Sequence, residues 1–391
     1  MNRRGVTCPA PTATTGSVPH GSTISREVPV KLPSSAHRAV LASLVGGLVL
    51  TACSGSPDPV PAPAEAVTPA PTETPEPEPV LTARAPLTGV LVEDEVGVEL
   101  AERPLLIAKI ENSAAARPQA GLDRADVVIE ELTEGGVTRF ITLFHSHLPD
   151  EAGPVRSARP VDVAVASGFG KPVFAHSGAR AQVQSMLAAA PMISLEEGAP
   201  GFMRVSDRRR PHNLFVRPAD VLAAGIDRGA TPITAPDWTF AEDAPDGAVT
   251  CAADAADCED PGAGVTVRMS NSARAGWTYD EDAGVYRRDQ NGEASTVTGE
   301  GRIGAANVVV LATRHYQDGC CDTNGSPYTE TDVLGGDVAL YWRDGQRFEG
   351  TWRKPTADAP LELLDADGAP FALKPGPTWL HLPSAASVAG L

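Results

Sequence analysis

Long apolar runs are scarce in this 391-residue chain, and so are aromatics, methionine and positive charge. Aromatic residues make up 5% of the sequence and methionines number five, so any core must rest on short aliphatic segments. The longest apolar run, Ala39 to Leu50, is too short to cross a bilayer comfortably as a permanent helix. Lysine and arginine total 32 against 50 acids, a formal charge of −18. Such an excess repels polyphosphate backbones, which argues against general nucleic-acid binding while leaving a local basic pocket open. No Gly-x-Ser-x-Gly elbow, P-loop or His-Glu-x-x-His motif occurs, so the commonest local signatures of hydrolases and nucleotide enzymes are missing. No cofactor and no metal are expected.

The basic residues are unevenly placed. Residues 1–52 hold five of them (Arg3, Arg4, Arg26, Lys31, Arg38) against the single acid Glu27. Residues 1–25 carry no periodic pattern, and a true start downstream of them stays open. From Arg26 the pattern is that of an export signal: basic residues, the run Ala39 to Leu50, then small residues. Leu50-Thr51-Ala52-Cys53 resembles a bacterial lipobox, so 1–52 reads as a signal region and Cys53 as the lipidated first mature residue. Residues 53–85 follow as a proline-rich tether too poor in large apolar groups to fold. Its ~33 residues would reach on the order of 100 Å in polyproline geometry.

Beyond the tether the expected fold class is α+β: an α/β domain over 86–240, an acidic insert over 241–264, and a β-rich domain over 265–391. Short β-branched runs predict strands at 104–110, 125–130, 137–144 and 171–175. Helices are expected at 158–167, 179–190 and 218–227, the last with Pro218 in its first turn. Gly135-Gly136 punctuates two strands. From Val265 onward, short runs separated by Asn-Gly and Asp-Gly turns read as strands, with Trp277, Trp342, Trp352 and Trp379 expected to fill the core, or alternatively to form an exposed platform for a sugar.

The order ARPQAGLDRADVVIEELTEGGVTRF, GPVRSARPVDVA, FAHSG and PHNLF resembles the YerB-like bacterial lipoprotein family, domain of unknown function 3048. The later runs from GWTYD to PGPTWLHLP resemble that family's companion C-terminal domain. The resemblance implies a two-domain lipoprotein on the extracytoplasmic face of the cell membrane and carries no activity with it. Its matching positions include Arg117, Gln119, Glu134, Arg139, Arg156, Ser157, Arg159, His176, His212 and Asn213.

Arginine offers a permanently charged fork of donors suited to carboxylate or phosphate. Arg117, Arg139, Arg156 and Arg159, with Gln119, His176, His212 and Asn213, are therefore expected as a ligand-binding set in an arginine-lined cleft. The plainer reading pairs the arginines with Glu111, Asp126, Glu130, Glu131, Glu134 and Asp162 to brace loops. The expected partner is an anionic cell-wall polymer or an envelope protein. As an alternative, a wall-modifying hydrolase or transferase would draw on Glu134, Ser157, His176 and His212, with Asp162 as a second orienting acid. Ser157 serves equally well as a helix cap. His145 and His147, with Asp150 or Glu151, are thin evidence for a metal. Beyond the signal region, which holds Cys8, four cysteines besides Cys53, namely Cys251, Cys258, Cys320 and Cys321, suggest two disulfides with three connectivities. Crossed links avoid a cramped bridge between neighbours, and zinc ligation is the alternative.

Overall fold

The computed structural model describes residues 81–391 except 252–259, 300, 323–324 and 390. The signal region, Cys53 and Cys258 lie outside the described residues, as does most of the tether. The tether ends earlier than expected, because Leu81–Arg84 pairs antiparallel with Leu91–Glu93 and Ala85 is buried. The run LTAR holds no proline, so each of its backbone N–H groups is able to join a ladder.

The centre of the molecule is one mixed ten-stranded sheet. In chain order its strands are β1 (Leu106–Glu111), β2 (Val127–Leu132), β3 (Thr138–Phe144), β4 (Val173–Ala175) and β5 (Ile193–Leu195). The second half supplies β6 (Asn307–Leu311), β7 (Gly335–Arg343), β8 (Gln346–Lys354), β9 (Glu362–Asp365) and β10 (Thr378–His381). The spatial order is β9-β8-β7-β6-β10-β2-β3-β1-β4-β5. The halves join where β10 runs parallel to β2, Thr378 opposite Val127 and His381 opposite Glu130.

All the described residues belong to one compact unit. The break at 241–264 thus marks a change from interleaved helices to β-rich sequence, while the sheet continues across it. The class is mixed α+β, with the helices concentrated in the first half.

Period-two alternation gives each sheet face its own core. Leu106, Ala108, Ile110, Val128, Phe140 and Trp379 face a small antiparallel sheet built on Gly264–Arg268, Arg274–Asp280 and Val285–Gln290. Ile107, Ile129, Ile141, Val309 and Leu380 face α1 (Pro160–Ala166) and α2 (Ala181–Ala189). A third helix, α3 (Pro218–Ile226), begins at Pro218 as expected. Trp277, Trp342, Trp352 and Trp379 are all buried. Gly135 and Gly136, both at positive φ, make the tight link between β2 and β3. At Gly121, with φ +81°, a Cβ would lie 2.7 Å from the Glu151 carbonyl oxygen, which favours glycine there.

Two expectations need correction. Ser157 does not cap α1, because the helix starts at Pro160 and the Arg159 N–H donates to Asp162 Oδ2 at 2.6 Å. Cys320 is an exposed free thiol, so the four cysteines do not all join two bridges. It sits at the end of the ribbon strand Arg314–Cys321, which runs it toward solvent.

Candidate functional site

Burying ionisable groups costs free energy unless they are paired, so each charge on the inner sheet faces must have a partner. On the α1 face, Lys109 of β1 is wholly buried and donates to Glu131 of β2 and to Asp162 of α1 at 2.6 Å from the latter. Two carboxylates around one ammonium leave one negative charge in excess. Burial, with Asp162 beside it, pushes Glu131 up to about 7 against the pull of Lys109.

The next charges along that face are arginines, and they converge on an acid. Arg139 of β3 donates to Glu134 Oε1 at 3.0 Å and to the Ser157 carbonyl at 2.8 Å. Arg159 donates through Nε to Glu134 Oε2 at 3.0 Å and through Nη2 to Oε1. Burial pushes Glu134 up, but the two arginines outweigh it and hold the carboxyl at about 2. Tyr328, from the ribbon strand Pro327–Asp332, lies against Arg159 and Arg180, and Arg180 pairs with Asp318 and Glu330. Half of the expected cleft, Arg139 and Arg159, is therefore a braced frame.

The alternative catalytic set does not assemble. The Ser157 hydroxyl is 3.4 Å from the Ser177 hydroxyl and has no imidazole partner among the described residues. His176 is buried, with Nε2 2.7 Å from Ser194 Oγ and Nδ1 next to the Gly178 backbone. Asp162 is committed to Lys109 and the Arg159 N–H, and Glu134 to its arginines. His145 is buried with Nε2 on the Arg103 carbonyl, while His147 is exposed. Among the described residues no cluster of three histidines, cysteines or acids could hold a metal. Gly299-x-Gly301-x-x-Gly304 has the spacing of a dinucleotide-binding loop, yet it leads into the strand Gly304–Ala305, without the helix such a loop requires.

The other expected residues divide into fasteners and open groups. Gln119 is buried and donates to the Glu111 carbonyl and Asn112 Oδ1. Asn213 is buried and accepts from Arg204 at 2.7 Å while donating to the Val205 carbonyl. Arg156 and His212, in contrast, are partly exposed and meet at Glu111: His212 Nδ1 is 2.9 Å from Oε2, and Arg156 Nε is 3.4 Å from the same oxygen. The terminal nitrogens of Arg156 have no hydrogen-bond partner among the described residues, and its Nε is buried without one. Arg117 is half-buried. Its burial, with the charge of Arg288 nearby, holds its guanidinium below the usual range.

Sequence reasoning missed the cations that extend this edge. Arg208, Arg209 and Arg210 precede Pro211 and His212, and Arg209 and Arg210 are exposed. Arg208 donates to the carbonyls of Ala116 and Pro118 at 2.8 and 2.6 Å, which fixes the loop beside Arg117. The signal was in plain view: Arg-Arg-Arg is the densest run of positive charge in an acidic chain.

The small-sheet face carries a second buried network. Arg288 donates to Glu130 Oε2 at 3.0 Å, to Gln290 at 2.8 Å and to Ser295 at 2.8 Å. Trp277 Nε1 donates to His381 Nε2 at 2.9 Å, so the ring proton sits on Nδ1, 3.1 Å from Glu130 Oε2. Burial pushes Glu130 up, but Arg288, His381 and the Thr138 hydroxyl hold it at about 2. Its members are fully enclosed, which makes this network a fastener between the halves.

Comparison with known proteins gives a consistent result. The model for the N-terminal domain of a protein of unknown function, DUF3048, matches residues 87–231, and that for the DUF3048 C-terminal domain matches 265–380. YerB of Bacillus subtilis (strain 168), which carries a lipoprotein designation, is 30% identical over 312 residues, spanning 76% of this chain and 86% of its own. The crystal structure of the YerB protein from Bacillus subtilis matches with a TM-score of 0.63 at 26% identity, over 78% of this chain and 98% of that one.

Proposed function

The chain belongs to the YerB-like family, and from that premise we propose that it is a lipid-anchored protein of the extracytoplasmic membrane face that binds an anionic envelope polymer. The binding surface is the edge formed by Arg117, Arg156, Arg208, Arg209, Arg210 and His212. One observation carries the reading: in a chain of net charge −18, Arg156 keeps donors that no described residue satisfies, and it shares Glu111 with His212, which follows the run Arg208-Arg209-Arg210 closely in sequence. Arg139 and Arg159, tied to Glu134, hold the Arg156–Ser157 segment in place from below.

Replacing Arg208, Arg209 and Arg210 together by alanine should weaken retention on immobilised polyphosphate on the order of 100-fold, at about 1 kcal/mol for each cation near a polyanion. Wild-type retention should fall steeply with salt, since screening shortens the reach of exposed charges. Retention that survives both the triple substitution and high salt would sink the proposal.

Anchoring rests on Cys53, the lipobox cysteine. Two acyl chains suffice for stable membrane residence, whereas one gives only marginal binding. The Cys53→Ala protein should therefore move from the membrane to the soluble fraction of fractionated cells, and its mass should lack the lipid increment. A variant that stays in the membrane at unchanged mass would rule the assignment out.

A further inference from the structure

The basic edge surrounds an acid–imidazole pair that binding alone does not require. Glu111 is 4% exposed, and its Oε1 accepts from the Ser113 hydroxyl at 2.7 Å. Its Oε2 faces His212 Nδ1 at 2.9 Å. A carboxylate can only accept, so Nδ1 carries a proton, and in the neutral ring the free lone pair is on Nε2. The His212 side chain is 27% exposed, and Nε2 has no hydrogen-bond partner among the described residues.

The other described histidines differ in ways that matter. His145 and His315 place Nε2 on backbone carbonyls, and His176 has both nitrogens occupied. His381 is enclosed between Trp277 and Glu130. His147 is exposed but has no carboxylate partner. Among the described residues, His212 alone joins a buried orienting carboxylate to an open second nitrogen.

We propose that His212, oriented by Glu111, transfers protons in the hydrolysis of a phosphodiester held by Arg156 and the Arg208–Arg210 loop. This rests on the anion-binding reading of the same edge. A phosphodiester keeps a negative charge from ground state to transition state, so arginine donors can hold it throughout. A neutral ester or amide would offer those guanidinium groups a carbonyl acceptor but no charge before the reaction begins.

In the step, His212 Nε2 takes a proton from water as the water oxygen bonds to phosphorus. The bond from phosphorus to the leaving oxygen then breaks, and the imidazolium returns its proton to that oxygen. Diester and water become monoester and alcohol, with no other reactant. Glu111 acts through the ring, holding its tautomer and stabilising the imidazolium, and is a positioning residue. Arg156 would neutralise charge on the non-bridging oxygens.

The test uses the full chain and bis(p-nitrophenyl) phosphate, following nitrophenolate release across pH. His212→Ala should lower kcat about 10²–10⁴-fold with KM little changed. Glu111→Gln, nearly the same size, should lower kcat and displace the acidic limb of the pH profile, which a merely structural role would leave in place. Thermal melts of both variants, with His212→Gln as a second substitution at the ring, separate lost chemistry from lost folding. Polyphosphate retention is measured in parallel. Wild type that retains polyphosphate but releases no nitrophenolate above buffer overturns the catalytic proposal alone, as do folded His212 and Glu111 variants with wild-type turnover. Wild type that retains no polyphosphate overturns the anion-binding reading and this inference with it.

Discussion

Replacing Arg288 by methionine should destabilise the protein by about 3–5 kcal/mol, a large share of the stability of an ordinary domain. Arg288 is 1% exposed, and its removal would leave Glu130, itself wholly buried, without its principal cation. The guanidinium also lies over the rings of Phe140 and Trp379, at 5.3 and 5.0 Å from their centroids, so packing is lost along with charge. Urea unfolding measures the cost. The double substitution Glu130→Gln with Arg288→Met should recover much of it, because the penalty comes mainly from an unpaired buried carboxylate. A single-mutant cost below about 1 kcal/mol would mean that the network contributes little.

Stability should also fall as pH rises from about 4.5 to 7, and Glu131→Gln should flatten that fall. The sign follows from proton binding: Glu131 is pushed up to about 7 from an ordinary value of 4.5, so the folded state holds its proton more tightly than the unfolded chain. That contribution is complete below 4.5 and is lost as pH passes through 7. Glu330, pushed up to about 7 mainly by burial, gives the same slope, so the glutamine variant removes only the share of Glu131. Glu130 and Glu134, both held at about 2, act in the opposite sense and lose their contribution only as pH falls toward 2. Denaturation midpoints between pH 4 and 8 measure the slope, and a variant with the wild-type slope would show that Glu131 is ionised throughout.

Local sequence carried the elements well and their partners poorly. Helix 218–227 was expected and Pro218–Ile226 is found, because a proline at the first turn fixes a start without reference to the rest of the chain. The arginines of GPVRSARP were visible as a group, and Glu134 was among the acids that could brace them. That Arg139 and Arg159 share it depends on the turn between β2 and β3, which residue types alone do not locate. Glu130 and Arg288 lie 158 residues apart, and no periodicity relates them. His212 was singled out, but its acid is Glu111, 101 residues earlier, and not Glu134. The Arg208–Arg210 run is legible as charge, but that Arg208 braces the loop around Arg117, some 90 residues earlier, is set by the fold alone.

The last strand of the central sheet governs when the sheet can close. β10 lies between β6 and β2, so until residues 378–381 have been made, β2 and β6 both present open edges. Neither half can close its sheet early, and joining them requires closing a loop of some 250 residues between β2 and β10. Long-range parallel pairing of that kind forms slowly. A sheet whose central strand comes this late in sequence stays open while the strands before it are being synthesised.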